Sequence, residues 1–134
     1  MDISRILAKW TDDGARLNPG AAVDRLAQLE RSVGAPLPAG LRDLYSTANG
    51  MVDGAVDRHW VSFWPIERIV ARHYVMESGP TKGIGFADVL INSWFLLFDV
   101  RAATLVVVNE STSKAQILED FWADYLDRPH LLCL

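Results

Sequence analysis

The chain has 134 residues, half of them hydrophobic, and its 13 Lys and Arg against 17 Asp and Glu give a formal net charge of -4. This much apolar surface excludes a disordered regulator, and the shortage of clustered Lys and Arg argues against binding to a nucleic-acid backbone. One hydrophobic core is enough for this length, so we expect a single domain over residues 1–134.

Helical patterns fill the first part of the chain. Asp2 can cap a first helix, in which apolar residues recur at helical spacing from Ile3 to Trp10. Asn18-Pro19 is typical of a helix start and predicts a second helix of about 14 residues. Its apolar stripe runs from Val23 to Val33, and Gly34 can close it in the left-handed conformation.

A third helix is predicted after Pro38. Its apolar stripe runs from Leu41 to Ala48, and Asn49-Gly50 is typical of a left-handed stop. The second and third helices therefore form a hairpin with an apolar stripe on each member. We expect this hairpin to seal one side of a small sheet formed by residues further along the chain.

The middle of the chain changes to strand patterns. Asp53-Gly54 predicts a turn, and the aromatic and β-branched residues from His59 to Trp64 predict a strand. Alternation puts Trp60 and Trp64 on one face of it, where they either pack beneath a second layer or form an interface anchor; the first alternative is the commoner one for Trp. Pro65 opens a short helix, and residues 79–85 are predicted to form a loop.

Three short apolar runs come next, and together with a last helix they define the fold class. Residues 86–91, 94–100 and 104–109 predict adjacent strands buried on both faces. A helix with apolar residues from Leu118 to Leu126 ends before Pro129. We expect an α+β domain with a mostly antiparallel or mixed sheet, against which N-terminal helices and a C-terminal helix pack.

Signatures of metal binding, phosphate binding and catalysis are weak in this sequence. His130 and Cys133 make one pair of potential ligands without the second pair that a structural zinc needs. The glycines of residues 79–85 lack the spacing of a phosphate loop, and no nucleophile elbow is present. We therefore expect no catalytic residues, no cofactor and no metal.

Features that bear on localisation favour the cytoplasm. The longest apolar runs are far shorter than the roughly 20 residues that span a bilayer. Asp2 stands where a secretory signal would be basic, and the lone Cys133 fits a reducing compartment. We expect a cytoplasmic protein without a membrane span.

The last helix carries three aspartates opposite its apolar stripe. Asp120, Asp124 and Asp127 follow at i, i+4 and i+7, so they are predicted to share one outward face. Like charges at this spacing cost a helix a few tenths of a kcal/mol per pair. The face is either a solvated surface, the commoner case, or a means of steering a basic partner.

A series of short motifs follows in order along residues 18–129, and each motif alone is common at the ends of helices. The motifs are Leu29-Glu30, Val33-Gly34, Leu37-Pro38, Leu41, Leu44, Tyr45, Asn49-Gly50, Trp64-Pro65-Ile66-Glu67-Arg68-Ile69, Ile84-Gly85-Phe86-Ala87-Asp88, Phe121 to Leu126 and Asp127-Arg128-Pro129. Their order resembles the SUKH superfamily, the SMI/KNR-like domains. The chain departs from the family at Ala39-Gly40, where acidic residues are common.

The resemblance implies a non-enzymatic protein-binding module. Many bacterial members are similar to immunity proteins, which bind and neutralise a polymorphic toxin, often a nuclease, while others are regulators or scaffolds. We expect a protein partner, in the first case a toxin domain with a basic surface, and leave the oligomeric state open. The predicted contact residues are Asp53, Asp57, Trp60, Asp120, Asp124 and Asp127.

Overall fold

A computed structural model describes residues 1–72, 75–78, 81–99, 104–108 and 113–129. The expected α+β class is confirmed, and no helix in these ranges is long and apolar enough to cross a membrane. In chain order the elements are α1 (Ile3–Asp12), β1 (Leu17–Pro19), α2 (Val23–Val33), α3 (Ala39–Thr47), β2 (Ala48–Met51), β3 (Val61–Phe63), α4 (Ile66–Arg72), β4 (Val75–Ser78), β5 (Thr81–Val89), β6 (Trp94–Asp99), β7 (Thr104–Val108), β8 (Ser113–Ile117) and α5 (Leu118–Asp127).

The larger sheet is antiparallel and is organised around β5. Its strand order is β3-β5-β6-β7-β8, and β4 also pairs with β5. β3 pairs with the last residues of β5, with Val61 opposite Val89, whereas β4 pairs with the first residues of β5. Because Gly85 and Ala87 pair with successive residues of β6, Phe86 is an extra residue, a β-bulge.

β1 and β2 form a two-stranded sheet, and its residues include the predicted start of the second helix and the predicted end of the third. Asn18 lies in β1 and donates from Nδ2 to the carbonyl oxygens of Asn49 (3.0 Å) and Met51 (3.1 Å). The predicted helix start at Asn18-Pro19 is therefore wrong: α2 begins at Val23, which is 74% exposed. The predicted stop at Asn49-Gly50 is also wrong, because both residues belong to β2.

The strand predictions need correction at their ends. The predicted loop over residues 79–85 is wrong for Thr81 to Gly85, which form the first half of β5. The strand predicted over residues 59–64 is limited to Val61–Phe63, and that over residues 86–91 ends at Val89. The sequence did not indicate β4 or β8. Residues 79–80, 100 and 109, which close some of these predicted segments, lie outside the described residues.

Phe63 of β3 lies at the centre of the core. Its ring contacts Trp10 of α1 at 4.9 Å between centroids, Tyr125 of α5 at 5.3 Å and Trp122 of α5 at 5.6 Å. The first and last helices therefore pack on the sheet through aromatic side chains, as predicted for the C-terminal helix. The α2–α3 hairpin packs mainly on α4, α1 and β2, and α4 in turn contacts β5.

Gly50 and Gly34 both have a left-handed backbone, with φ of 65° and 78°, but only Gly50 lies against other backbone atoms. A Cβ at position 50 would lie 2.6 Å from the carbonyl carbon of Trp64, whereas a Cβ at position 34 would meet nothing within 4 Å. Strain alone costs an L-residue roughly 1–2 kcal/mol in this conformation.

We expect Gly50→Ala to lower the free energy of unfolding by roughly 3 kcal/mol or more, since backbone clash adds to strain. Gly34→Ala is the matched control and should lose only the strain, about 1–2 kcal/mol. Urea unfolding followed by Trp fluorescence measures both. Equal losses in the two variants would contradict the close approach of β2 to residues 64–65.

Candidate protein-interaction site

Three large apolar side chains are exposed together at one end of the β3–β5 pair. Trp60, Leu90 and Ile91 are 52%, 42% and 72% exposed. The backbone N–H of Leu90 donates to the carbonyl oxygen of Trp60 at 3.0 Å, directly beyond the last register pair of the two strands. We call these three residues the apolar tip.

The backbone of the apolar tip is left-handed throughout. Within the described residues, the non-glycine positions with positive φ are Trp60 (65°), Leu90 (54°), Ile91 (54°) and Asn92 (62°). Each such residue costs roughly 1–2 kcal/mol, and a β-branched residue such as Ile is a marked outlier. Backbone strain of this kind clusters at functional sites. Strain and apolar exposure coincide here, which makes the tip the candidate site.

Asp57 holds the loop that presents Trp60. Its Oδ1 accepts from the backbone N–H groups of His59 (2.8 Å) and Val61 (3.0 Å), on either side of Trp60. Its Oδ2 accepts from the Tyr125 hydroxyl at 2.5 Å and lies 3.8 Å from Nζ of Lys9. The Asp57 side chain has no exposed surface. It therefore connects the Trp60 loop to α5 and α1.

Asp88 has the same role for the second loop. Its Oδ1 accepts from the backbone N–H of Asn92 at 3.2 Å, which closes the left-handed turn around Leu90 and Ile91. Its Oδ2 accepts from Nε1 of Trp64 at 2.6 Å, and Arg68 lies 3.5 Å away. Two buried carboxylates thus fix the two loops of the apolar tip before any partner binds.

A polar cleft of about 470 Å³ adjoins the Trp60 loop and includes Arg58 and His59. Its charged groups pair with one another: Nζ of Lys9 lies 2.6 Å from Asp13, and Nε of Arg58 lies 3.6 Å from the same carboxylate. Burial raises the pKa of Asp13, but hydrogen bonds from Lys9 and the Arg58 backbone, with the charges of both side chains, outweigh burial and lower it overall.

Tyr125 is a buried member of this network and stays a neutral phenol. Burial, followed by the charge of Asp57 and the hydrogen bond to it, raises the pKa of Tyr125, and the hydrogen bond from Trp10 Nε1 only partly offsets this. A phenol that stays protonated donates a permanent hydrogen bond to Asp57. The chemistry of the network is therefore suited to positioning the Trp60 loop.

Three of the predicted contact residues precede β3. Asp53 and Trp60 lie on the surface, and Asp57 lies beneath it. Asp53 is exposed, and the structure confirms the predicted turn at Asp53-Gly54. Trp60 is exposed and lies outside β3, so its predicted place in a strand is wrong. Of the two alternatives left open for Trp60 and Trp64, packing beneath a second layer holds for Trp64, which is fully buried, and not for Trp60. Asp57 is buried beneath the loop and supports the surface without forming it.

The three aspartates of α5 lie on one side of the helix, at i, i+4 and i+7, but differ in exposure. Asp120 and Asp127 are exposed, and Asp127 pairs with Arg5 of α1 at 2.7 Å. Asp124 is only 8% exposed, and its carboxylate accepts from Nε2 of Gln116 at 2.6 Å. The prediction that Asp124 faces outward with the other two is therefore wrong, because β8 lies beside that side of the helix.

Leu90, Ile91 and Asp88 belong to the site but were not predicted as site residues. Their run of apolar residues indicated a strand through Ile91, and left-handed turns of non-glycine residues have no sequence signature comparable with Asn-Gly. Asn92-Ser93 was the one local signal of a turn.

Neither a metal site nor a similarity to known proteins adds to the description of this site. Among the described residues, no group of three or more His, Cys, Asp or Glu is placed to hold a metal ion, and His130 and Cys133 lie outside them. No protein-family model matches the chain, and no curated protein matches it significantly.

Removal of the Asp57 carboxylate leaves buried donors without an acceptor. We expect Asp57→Ala to lower the free energy of unfolding by about 3 kcal/mol or more, the usual loss when one member of a buried charged pair is removed. Asp53→Ala, at an exposed turn, is the control and should stay within about 0.5 kcal/mol of the parent. Thermal unfolding compares them, and similar values would argue against a supporting role for Asp57.

The lowered pKa of Asp13 makes stability depend on pH. The carboxyl titrates below its ordinary 3.8 in the folded chain, so its contribution is present above that pH and is lost as pH falls through the folded value. We expect Asp13→Asn to be less stable than the parent at neutral pH, with the gap closing below about pH 4. Urea unfolding across this range measures the gap; a constant gap would contradict the shift.

Proposed function

We propose that this protein is a non-enzymatic protein-binding module of the SUKH type, an immunity protein that binds and neutralises a cognate polymorphic toxin in the cytoplasm. Support comes from one observation above all: an exposed Trp on strained backbone, with Leu and Ile beside it and a buried carboxylate beneath it. The α+β fold is consistent with the family that the sequence resembles.

The apolar tip has the chemistry of an interface hot spot. Trp is enriched among residues that dominate binding energy, and the area still exposed on Trp60, on the order of 100 Å², would contribute about 2–3 kcal/mol on burial. The loops around it are fixed by Asp57 and Asp88, so little ordering is required on binding. Preorganisation of this kind lowers the entropic loss on association.

A basic partner surface fits the charge of the protein. The net charge is -4, and the exposed acidic residues include Asp53 and Asp120. Opposite charges at the rim of an interface raise the association rate and contribute less to the affinity than the buried centre does. In this proposal the apolar tip supplies the affinity and the acidic surface guides encounter.

A positioning role for the polar network supports a binding function over an enzymatic one. The carboxylate of Asp57 accepts two backbone N–H groups and a phenol, and Lys9 pairs with Asp13. The hydrogen bonds of Asp57 fix the backbone of the Trp60 loop, which is a structural role. Inhibition by occupancy needs only a tight and specific complex, and known toxin–immunity pairs reach the upper limit of non-covalent affinity.

We expect Trp60→Ala to weaken partner binding by roughly 30-fold or more, the loss typical of a hot-spot Trp. Val23→Ala is the matched control, because Val23 is an exposed apolar residue on α2 and should leave affinity unchanged. The partner is first captured on the tagged chain and identified by mass spectrometry. Its affinity for each variant is then measured by titration calorimetry. Equal affinity of Trp60→Ala and the parent would refute the assignment of the tip.

Co-expression tests the toxin assignment separately. The captured partner should kill cells when expressed alone, the parent chain should rescue them, and Trp60→Ala should fail. A non-toxic partner would favour the alternative of a cytoplasmic regulator or scaffold. Turnover of a small molecule by the pure chain would overturn the non-enzymatic assignment.

A further inference from the structure

Two of the three residues of the apolar tip lie in the turn between β5 and β6. Leu90 and Ile91 both have a φ of 54°, and Asn92, which follows them, has a φ of 62°. Gly, Asn and Asp tolerate a left-handed backbone, whereas the Cβ of other residues disfavours it, most of all in a consecutive run. Asn92 suits this backbone, and Leu90 and Ile91 do not. Contacts with the rest of the protein must therefore hold the turn.

Arg68 of α4 contacts this turn through its side chain. Nη2 of Arg68 lies 3.5 Å from Oδ1 of Asn92 and 3.5 Å from Oδ2 of Asp88. The backbone N–H of Asn92 donates to the other oxygen of the same carboxylate, Oδ1, at 3.2 Å. Arg68, Asp88 and Asn92 therefore form a closed triangle of contacts. This triangle engages both the backbone and the side chain of the last residue in the left-handed run.

The Arg68 side chain is itself held in place. Its guanidinium lies over the Trp64 ring at 4.7 Å from the centroid, and the Trp64 indole donates to Asp88 at 2.6 Å. The side chains of Arg68 and Asp88 are 22% and 6% exposed, so their contact is largely shielded from water. A guanidinium that stacks on an aromatic ring is already ordered, and it loses little further freedom when its edge donates to a neighbour. Arg68 is therefore suited to fixing the turn.

Arg72, one helical turn after Arg68, provides a comparison on the same helix. Its guanidinium also lies over the Trp64 ring, at 5.7 Å from the centroid. Within the part of the chain that the structure describes, Arg72 makes no hydrogen bond or ion pair with Asp88 or Asn92, and Arg68 contacts both. The two arginines thus share the contact with the indole and differ in their contact with the turn.

We propose that Arg68 is a positioning residue of the apolar tip, which it serves by holding the β5–β6 turn through Asn92 and Asp88. The inference rests on the proposed function, because it assigns Arg68 to the presentation of the same binding surface. Arg68 acts through the turn and not by touching the partner. Its removal loosens the β5–β6 side of the tip and leaves the Trp60 loop, which Asp57 holds, as it is.

Amide hydrogen exchange of the free chain, followed by NMR, tests the positioning role without a partner. In Arg68→Ala the Asn92 N–H should exchange about three- to fivefold faster, the effect expected when a partly exposed charged contact is lost. The Val61 N–H, which donates to Asp57 in the other loop, should exchange at the parental rate. Arg72→Ala is the matched control and should leave both rates unchanged. Equal acceleration at the two amides in Arg68→Ala, or none at Asn92, would overturn the inference.

Affinity for the captured partner separates this inference from the proposed function. Arg68→Ala should weaken binding by about three- to fivefold, because the partner must then also order the turn, and Arg72→Ala should bind as the parent does. Weaker binding by Trp60→Ala together with parental affinity in Arg68→Ala would overturn the positioning role and retain the proposed function. Parental affinity in Trp60→Ala would refute the tip as the binding surface, and the positioning role would fall with it.

Discussion

The structure around the candidate site depends on one buried carboxylate. Asp57 accepts hydrogen bonds from its own loop and from Tyr125 of α5, and it lies close to Lys9 of α1. A buried carboxylate is tolerated only when its lone pairs are matched by donors, and here backbone, phenol and ammonium groups all contribute. The first helix, the last helix and the loop of Trp60 are consequently fixed relative to one another at a single point.

A second carboxylate repeats this arrangement on the neighbouring loop. Asp88 connects the turn of Leu90 and Ile91 to the indole of Trp64, over which the guanidinium of Arg68 lies at 4.7 Å from the ring centroid. The two loops meet through the hydrogen bond between the Leu90 N–H and the Trp60 carbonyl. The exposed apolar side chains of the tip thus lie on left-handed backbone, and two buried carboxylates hold that backbone in place.

Local patterns predicted the helices better than the site. Asp2 caps α1 and Gly34 closes α2, as their positions indicated, because capping is a matter of a few neighbouring residues. Asn18 was misassigned because its hydrogen-bond acceptors are 31 and 33 residues away. Asp57 was assigned to the surface for a similar reason, since its carboxylate meets the Tyr125 hydroxyl across 68 positions of sequence. Hydrogen bonds between side chains so far apart in sequence produce no periodic pattern from which they could be predicted.

The bulge at Phe86 changes the phase of side-chain alternation along β5. Ala87 pairs with Phe63, and the Phe86 ring also contacts that of Phe63 at 6.0 Å, so two consecutive side chains share a face. If all residues from Ile84 onward, Phe86 included, alternated strictly without a bulge, Asp88 would lie on the side of Phe63 and Val89 on the other side. The bulge absorbs one residue, so Asp88 lies opposite Ser62 and Phe95, on the other side of the sheet from Phe63. Deletion of Phe86 would therefore restore regular alternation and leave the Asp88 carboxylate on the same side of the sheet.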